Sequence, residues 1–150
     1  MRLEDEIVQK KFKSPYQKAI INILYTSNWL GTLHGHILKP YGLTRQQYNI
    51  LRILRGQHPN PATIRLLTER MLDKMSNASR LVEKLRQKEL VERDPCQEDR
   101  RQVNVKISEK GLELLKELDA ALVEVDKTMR NGLTEEEAKE LNRILDKLRG

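Results

Sequence analysis

Ser76, Asn77, Arg80 and Lys84 fall within about 100° of one another on a helix that turns about 100° per residue, and Lys74 stands just ahead of them. Those residue types suit one chemistry. An arginine fork can bond both acceptors on a guanine edge and an asparagine amide both groups on an adenine edge, while hydroxyl and ammonium groups hold phosphates. The nearby carboxylates are Asp73, at the start of the segment, and Glu83, at the margin of the face. Most helix faces of this kind are simply solvated, so the neighbouring elements must decide.

Directly downstream, Leu90 to Arg93 reads as a strand, Asp94 to Arg101 as a loop, and Val103, Val105 and Ile107 alternate with Asn104 and Lys106 as a returning strand. A hairpin placed straight after a reading helix is a wing. Its loop ends in Arg100 and Arg101, whose guanidinium groups suit a narrow, strongly negative minor groove. The plainer reading is a surface ion pair with Asp99. The two are compatible if Asp99 fixes Arg101 and Arg100 points to the nucleic acid.

The elements that must position these groups are also legible. Ser14-Pro15 reads as an N-cap with proline in the first helical position, opening a long helix. Tyr16, Ile20, Ile23, Ser27, Leu30 and Ile37 lie on one side of it, and Ile21, Tyr25, Trp29 and His36 on another. Two apolar faces need two partners, either one surrounding core or one internal face and one meeting a second subunit. Thr44 and Gln47 form a capping box for a helix over Arg45 to Arg55, with Gly56 as a left-handed cap and His58-Pro59-Asn60-Pro61 as a stop. A short helix follows over Ile64 to Met71. Asp73 then caps a helix buried along Met75, Ala78, Val82 and Leu85. Ser108 opens a long helix with the stripe Leu112, Leu115, Leu118, Leu122, Val125 and Met129, ended by Asn131-Gly132. Thr134 and Glu137 form a second capping box, with Ala138, Leu141, Leu145 and Leu148 on the buried face of the last helix.

The chain of 150 residues fits one domain, with 38% hydrophobic and 33% charged residues arranged in regular stripes. Its 28 Lys and Arg against 22 Asp and Glu give a net charge of +6, which suits a polyanionic partner. No apolar run has membrane-spanning length and no signal-peptide core is visible, so a cytoplasmic protein without a membrane partner is expected. The lone Cys96 leaves no disulfide framework and reads as an exposed loop residue, not a redox switch. His34 and His36, two apart on a helix, face different ways and make a poor metal pair. With no phosphate-cradling glycine loop and no nucleophile elbow, neither an enzyme nor a cofactor is expected.

The stretch from Leu67 to Gly111, LTERMLDKMSNASRLVEKLRQKELVERDPCQEDRRQVNVKISEKG, resembles the multiple-antibiotic-resistance regulator (MarR) family. The family's wing signature, D-x-R followed by alternating apolar residues, a Ser or Thr and a Gly, stands here as DRRQVNVKISEKG from Asp99 to Gly111. Leu72-Asp73 replaces the glycine-containing turn of many relatives. The resemblance implies a mainly α fold with a small β-hairpin wing, a winged helix-turn-helix lobe over 43–107 and dimerisation helices over 14–38 and 108–150. It implies a homodimeric repressor that binds a pseudo-palindromic DNA operator and is released by a small aromatic ligand. Tyr25, Trp29, His36 and Tyr48 are the residues expected to line the ligand cleft. An effector-independent DNA-binding protein and a winged-helix protein-interaction module remain as alternatives. Residues 1–13 carry no reading.

Overall fold

A computed structural model describes residues 1–95 and 103–150. After a single helical turn, α1 (Leu3–Glu6), the chain enters the long helix α2 (Pro15–Leu38). Ser14 starts it as expected, its hydroxyl oxygen accepting a hydrogen bond from the Gln17 N–H at 3.1 Å. A 3-10 turn over Lys39–Tyr41 ends at Gly42, whose φ of 66° lies in the left-handed region that glycine enters without penalty. The next helix, α3 (Arg45–Gln57), opens on the complete Thr44–Gln47 capping box.

Gly56 does not cap α3. The helix runs through it to the cap at His58, where the chain leaves helical geometry ahead of Pro59. A two-residue strand, β1 (Ala62–Thr63), precedes the short helix α4 (Ile64–Arg70). The following helix, α5, covers only Ala78–Gln87. The hairpin strands β2 (Val91–Pro95) and β3 (Val103–Ile107) pair antiparallel, Val91 opposite Ile107 and Pro95 opposite Val103. With β1 on the far side of β3 they form a three-stranded sheet in the order β1-β3-β2. Helix α6 (Glu109–Gly132) and helix α7 (Glu135–Arg149) complete the chain, capped by Ser108 and by the Thr134–Glu137 box.

One core lies within the lobe. Ile50, Leu51 and Leu54 of α3 meet Val82 and Leu85 of α5, Val105 of β3, and Leu115 and Leu118 of α6. Thus α6 leaves the lobe with only its first half buried: Leu122, Val125 and Met129 are half-buried. No residue of α7 is buried, and Leu141 and Leu148, placed by periodicity on a covered face, are exposed in the single chain. Along α2 only Gly31 and Leu38 are buried, while Tyr16, Ile20 and Leu24 are exposed.

Candidate nucleic-acid interface and ligand cleft

Helix α5, the expected reading helix, begins four residues later than its sequence pattern suggests. Asp73 does not cap it. Its carboxylate accepts from the Met75 N–H at 3.0 Å and its carbonyl from the Ser76 N–H at 3.2 Å, closing a tight turn ahead of the helix. Asn77 is the cap: its side-chain oxygen accepts from the Arg80 N–H at 3.0 Å, leaving the amide NH₂ to donate outward. Met75, which fits the buried stripe by spacing, is 93% exposed because the helical repeat does not reach it.

Ser76 and Lys74 therefore stand in the turn, and Arg80 and Lys84 on the helix. The Lys74 ammonium donates to the Glu69 carbonyl at 2.5 Å. Arg80 and Lys84 are exposed, and among the described residues neither has an acidic partner. Ser79, not singled out from sequence, is also exposed on this first turn. Glu83 does not offset their charge freely: Arg86 at 2.8 Å and Arg93 at 3.2 Å hold its carboxylate, and Arg86 above all lowers its pKa. The outer face of α5 is thus a cationic, donor-rich surface. Cys96, Asp99, Arg100 and Arg101 lie outside the described residues, between the strand ends at Pro95 and Val103.

Behind the turn, a cleft of about 660 Å³ opens between α2, α3 and residues 72–73. Leu30 and Gly31 of α2 form one wall, and Arg45, Tyr48 and Arg52 of α3 the other. The missing side chain at Gly31 leaves room for the Arg45 guanidinium, which occupies the space a Cβ there would take. Arg52 donates to the Tyr48 hydroxyl oxygen at 2.9 Å. Burial, then the nearby Arg45 charge, pushes the His34 imidazole below its ordinary pKa, so it is neutral at pH 7. The cleft also touches the reading turn: the Asn49 side-chain oxygen accepts from the Leu72 N–H at 2.9 Å.

Of the four residues expected to line a cleft, Tyr48 does so. Tyr25 donates to the Glu6 carboxylate at 2.6 Å, while Trp29 and His36 are exposed away from the lining. His34, Arg45 and Arg52, not expected from the sequence, also line the cleft, which carries two arginines, a carboxylate and neutral polar and apolar groups besides the phenol ring of Tyr48. Among the described residues no cluster of three or more histidine, cysteine or acidic groups could hold a metal ion. No helix among them is long and apolar enough to cross a membrane.

Comparison with known proteins agrees with this geometry. The MarR family model matches residues 41–102, which run from the end of the 3-10 turn to the start of β3. A MarR transcription factor from Planctomyces limnophilus is 29% identical over 91% of this chain and 98% of its own, with a TM-score of 0.69. AbsC, a MarR family transcriptional regulator from Streptomyces coelicolor, is 25% identical over 94% of this chain and 99% of its own, with a TM-score of 0.77. The organohalide-sensing regulator RdhR, in its 2,4-dichlorophenol-bound form, shares the fold at a TM-score of 0.81 and 22% identity, over 94% of this chain and 85% of its own. The winged helix, the family match over residues 41–102 and these structures together make the chain similar to the MarR family of DNA-binding transcription regulators.

Proposed function

We propose that the protein is a homodimeric repressor released from its operator by a small, anionic aromatic compound. Helices 14–38 and 108–150 form the dimer arms, and residues 43–107 form the DNA-binding lobe. Asn77 and Arg80 read base edges, with Lys74, Ser76 and Lys84 on phosphates. Arg100 and Arg101 extend the contact into the minor groove, Asp99 holding one of them.

The observation that carries the proposal is the cleft. Its volume of about 660 Å³ lies in the range of small-molecule sites. Two arginines, Arg45 and Arg52, outweigh the single Asp73 carboxylate and favour an anion, Leu30 and Tyr48 favour an apolar ring, and neutral His34 can donate or accept a hydrogen bond. The 2,4-dichlorophenol-bound form of the structural neighbour RdhR supports a small aromatic ligand. Because Leu72 and Asp73 belong both to this lining and to the turn before α5, an occupant can shift the reading helix by altering contacts that differ between two states.

The test selects bound sequences from random duplex DNA and then titrates benzoates, phenols and neutral aromatic controls against the complex. Release by benzoates or phenolates that is weakened in Arg52→Gln is expected. A complex that none of these compounds shifts would reject the ligand-released reading, and a monomer bound to an asymmetric site would reject the dimer.

A further inference from the structure

Met75 belongs neither to the core nor to the lining of the cleft, and it is 93% exposed. Its backbone is nevertheless fixed, since the Asp73 carboxylate holds the Met75 N–H at 3.0 Å and the Asp73 carbonyl holds the next N–H at 3.2 Å. The side chain therefore leaves an ordered turn, in sequence immediately before Ser76 and the helix cap Asn77. Arg80 and Lys84 follow on the outer face of α5, with no acidic partner among the described residues.

The Asp73 carboxylate is engaged by the turn's own Met75 N–H, so a large exposed apolar side chain placed just ahead of the donors and cations of α5 fits a partner that is anionic at its edges and carries isolated methyl groups between them. The major groove has that pattern: phosphates flank it, and the thymine 5-methyl is the apolar group on its floor. An apolar protein surface would instead have to desolvate the neighbouring cations without compensation. The thioether is unbranched and polarizable, so it adapts to a methyl contact without a rigid socket.

We propose that Met75 is a specificity-determining residue that recognises thymine through its 5-methyl group. The inference rests on the reading of α5 as the major-groove element.

The test uses the full chain and the duplex sequence it selects from a random pool, with each thymine replaced singly by deoxyuridine. That change removes one methyl and leaves the pairing edge intact. Wild type should lose about fourfold in affinity at one position per half-site, the value of burying one such group. Met75→Ala should bind the thymine duplex more weakly by at least that factor and show no further loss with deoxyuridine, whereas Met75→Leu should keep the sensitivity. Salt slopes should coincide for all three proteins, because no charge changes. Indifference of the wild type to every deoxyuridine, together with sequence-specific binding that Arg80→Ala relaxes, would overturn the role of Met75 alone. Binding without any sequence preference would overturn the reading of α5 as well. A lowered melting temperature in Met75→Ala would show that the side chain is packed and not presented, and would also count against the proposal.

Discussion

On the proposed reading, Asn77 carries two tasks that one substitution can separate. Its side-chain oxygen caps α5 through the Arg80 N–H, while its NH₂ is left to meet a base. Asn77→Ala should lower stability by about 1 kcal/mol as well as weaken DNA binding. Asn77→Ser should keep the cap and the melting temperature yet still relax base preference. Arg80→Ala, with no cap to lose, should cost about 1–3 kcal/mol of binding and relax preference at one position. Thermal melts paired with binding to a set of single-base operator variants check all three, and unchanged preference in both Asn77→Ser and Arg80→Ala would remove these residues from base reading. The residue types of this face were legible in the sequence, but the division of labour was not. Spacing places Met75 on the buried stripe just as well as Ala78, and only the turn closed by Asp73 shows where the helix begins. The cations of the cleft were equally hidden, because Arg45 and Arg52 read as solvated positions of α3 and only the packing of α2 beside that helix makes them walls of a cleft.

At the scale of elements, local capping chemistry was the most legible signal: Ser14, Thr44, Ser108 and Thr134 each cap the helix that their sequence context predicts. Strand β1 escaped because two residues have no periodicity and exist as a strand only by pairing with β3. Gly56 escaped because a glycine before a proline-rich stop resembles a terminus, while tertiary packing carries α3 past it. Its exposed site has nothing within 4 Å of an added Cβ, so Gly56→Ala should stabilise by about 0.5–1 kcal/mol. Gly111→Ala should do the opposite. A Cβ there meets the Leu90 carbonyl and the Ile107 side chain at the junction where the Ser108 hydroxyl binds both the Glu89 carbonyl at 2.7 Å and the Gly111 N–H at 3.0 Å. A loss of about 1–3 kcal/mol is expected from overpacking. Thermal denaturation of the two variants decides the signs, and a destabilised Gly56→Ala would restore Gly56 to a cap. The N-terminal segment, unread in sequence, is held on α2 by Glu4 to Lys18 at 2.5 Å and by Glu6 to Tyr25 at 2.6 Å. The hydrogen bond from Lys18 lowers the Glu4 carboxyl from 4.5 to about 2. Its contribution is thus present above pH 4.5 and lost as pH falls through about 2. Amide exchange of residues 3–6 should rise over that interval in wild type, and Glu4→Gln should show the faster exchange already at neutral pH. Equal protection in both proteins at pH 7 would remove this pair from the attachment.

At the scale of the molecule, the contrast between a closed lobe and uncovered arms is the main structural fact. The lobe buries the inner faces of α3 and α5 against the first half of α6, and Arg55 of α3 ties it to α6 through a two-bond pair with Asp119 at 2.6 and 3.0 Å. That pair is partly exposed, so it sets orientation more than stability. The arms, by contrast, leave Ile20 59%, Ile144 49% and Leu148 67% exposed. Periodicity alone cannot say whether such a stripe meets its own chain or another, and for that reason the sequence left both readings of α2 open. Apolar faces on α2 and α7 that no element among the described residues covers support the proposed dimer. A two-fold interface uses each residue twice, so a change at Ile144 acts in both subunits. Fully burying an isoleucine is worth about 1.5–3 kcal/mol; Ile144 is already half covered in the single chain, so a charge in its place forfeits about half of that at each of two copies. Ile144→Glu should therefore weaken self-association by roughly 10- to 10²-fold. The lobe, whose core does not include α7, should remain folded. Sedimentation equilibrium should report monomers at concentrations where wild type is dimeric, circular dichroism should keep its helical signal, and operator affinity should fall because two half-sites are no longer bound together. A variant that stays dimeric and binds its operator as wild type does would place the interface elsewhere than α7.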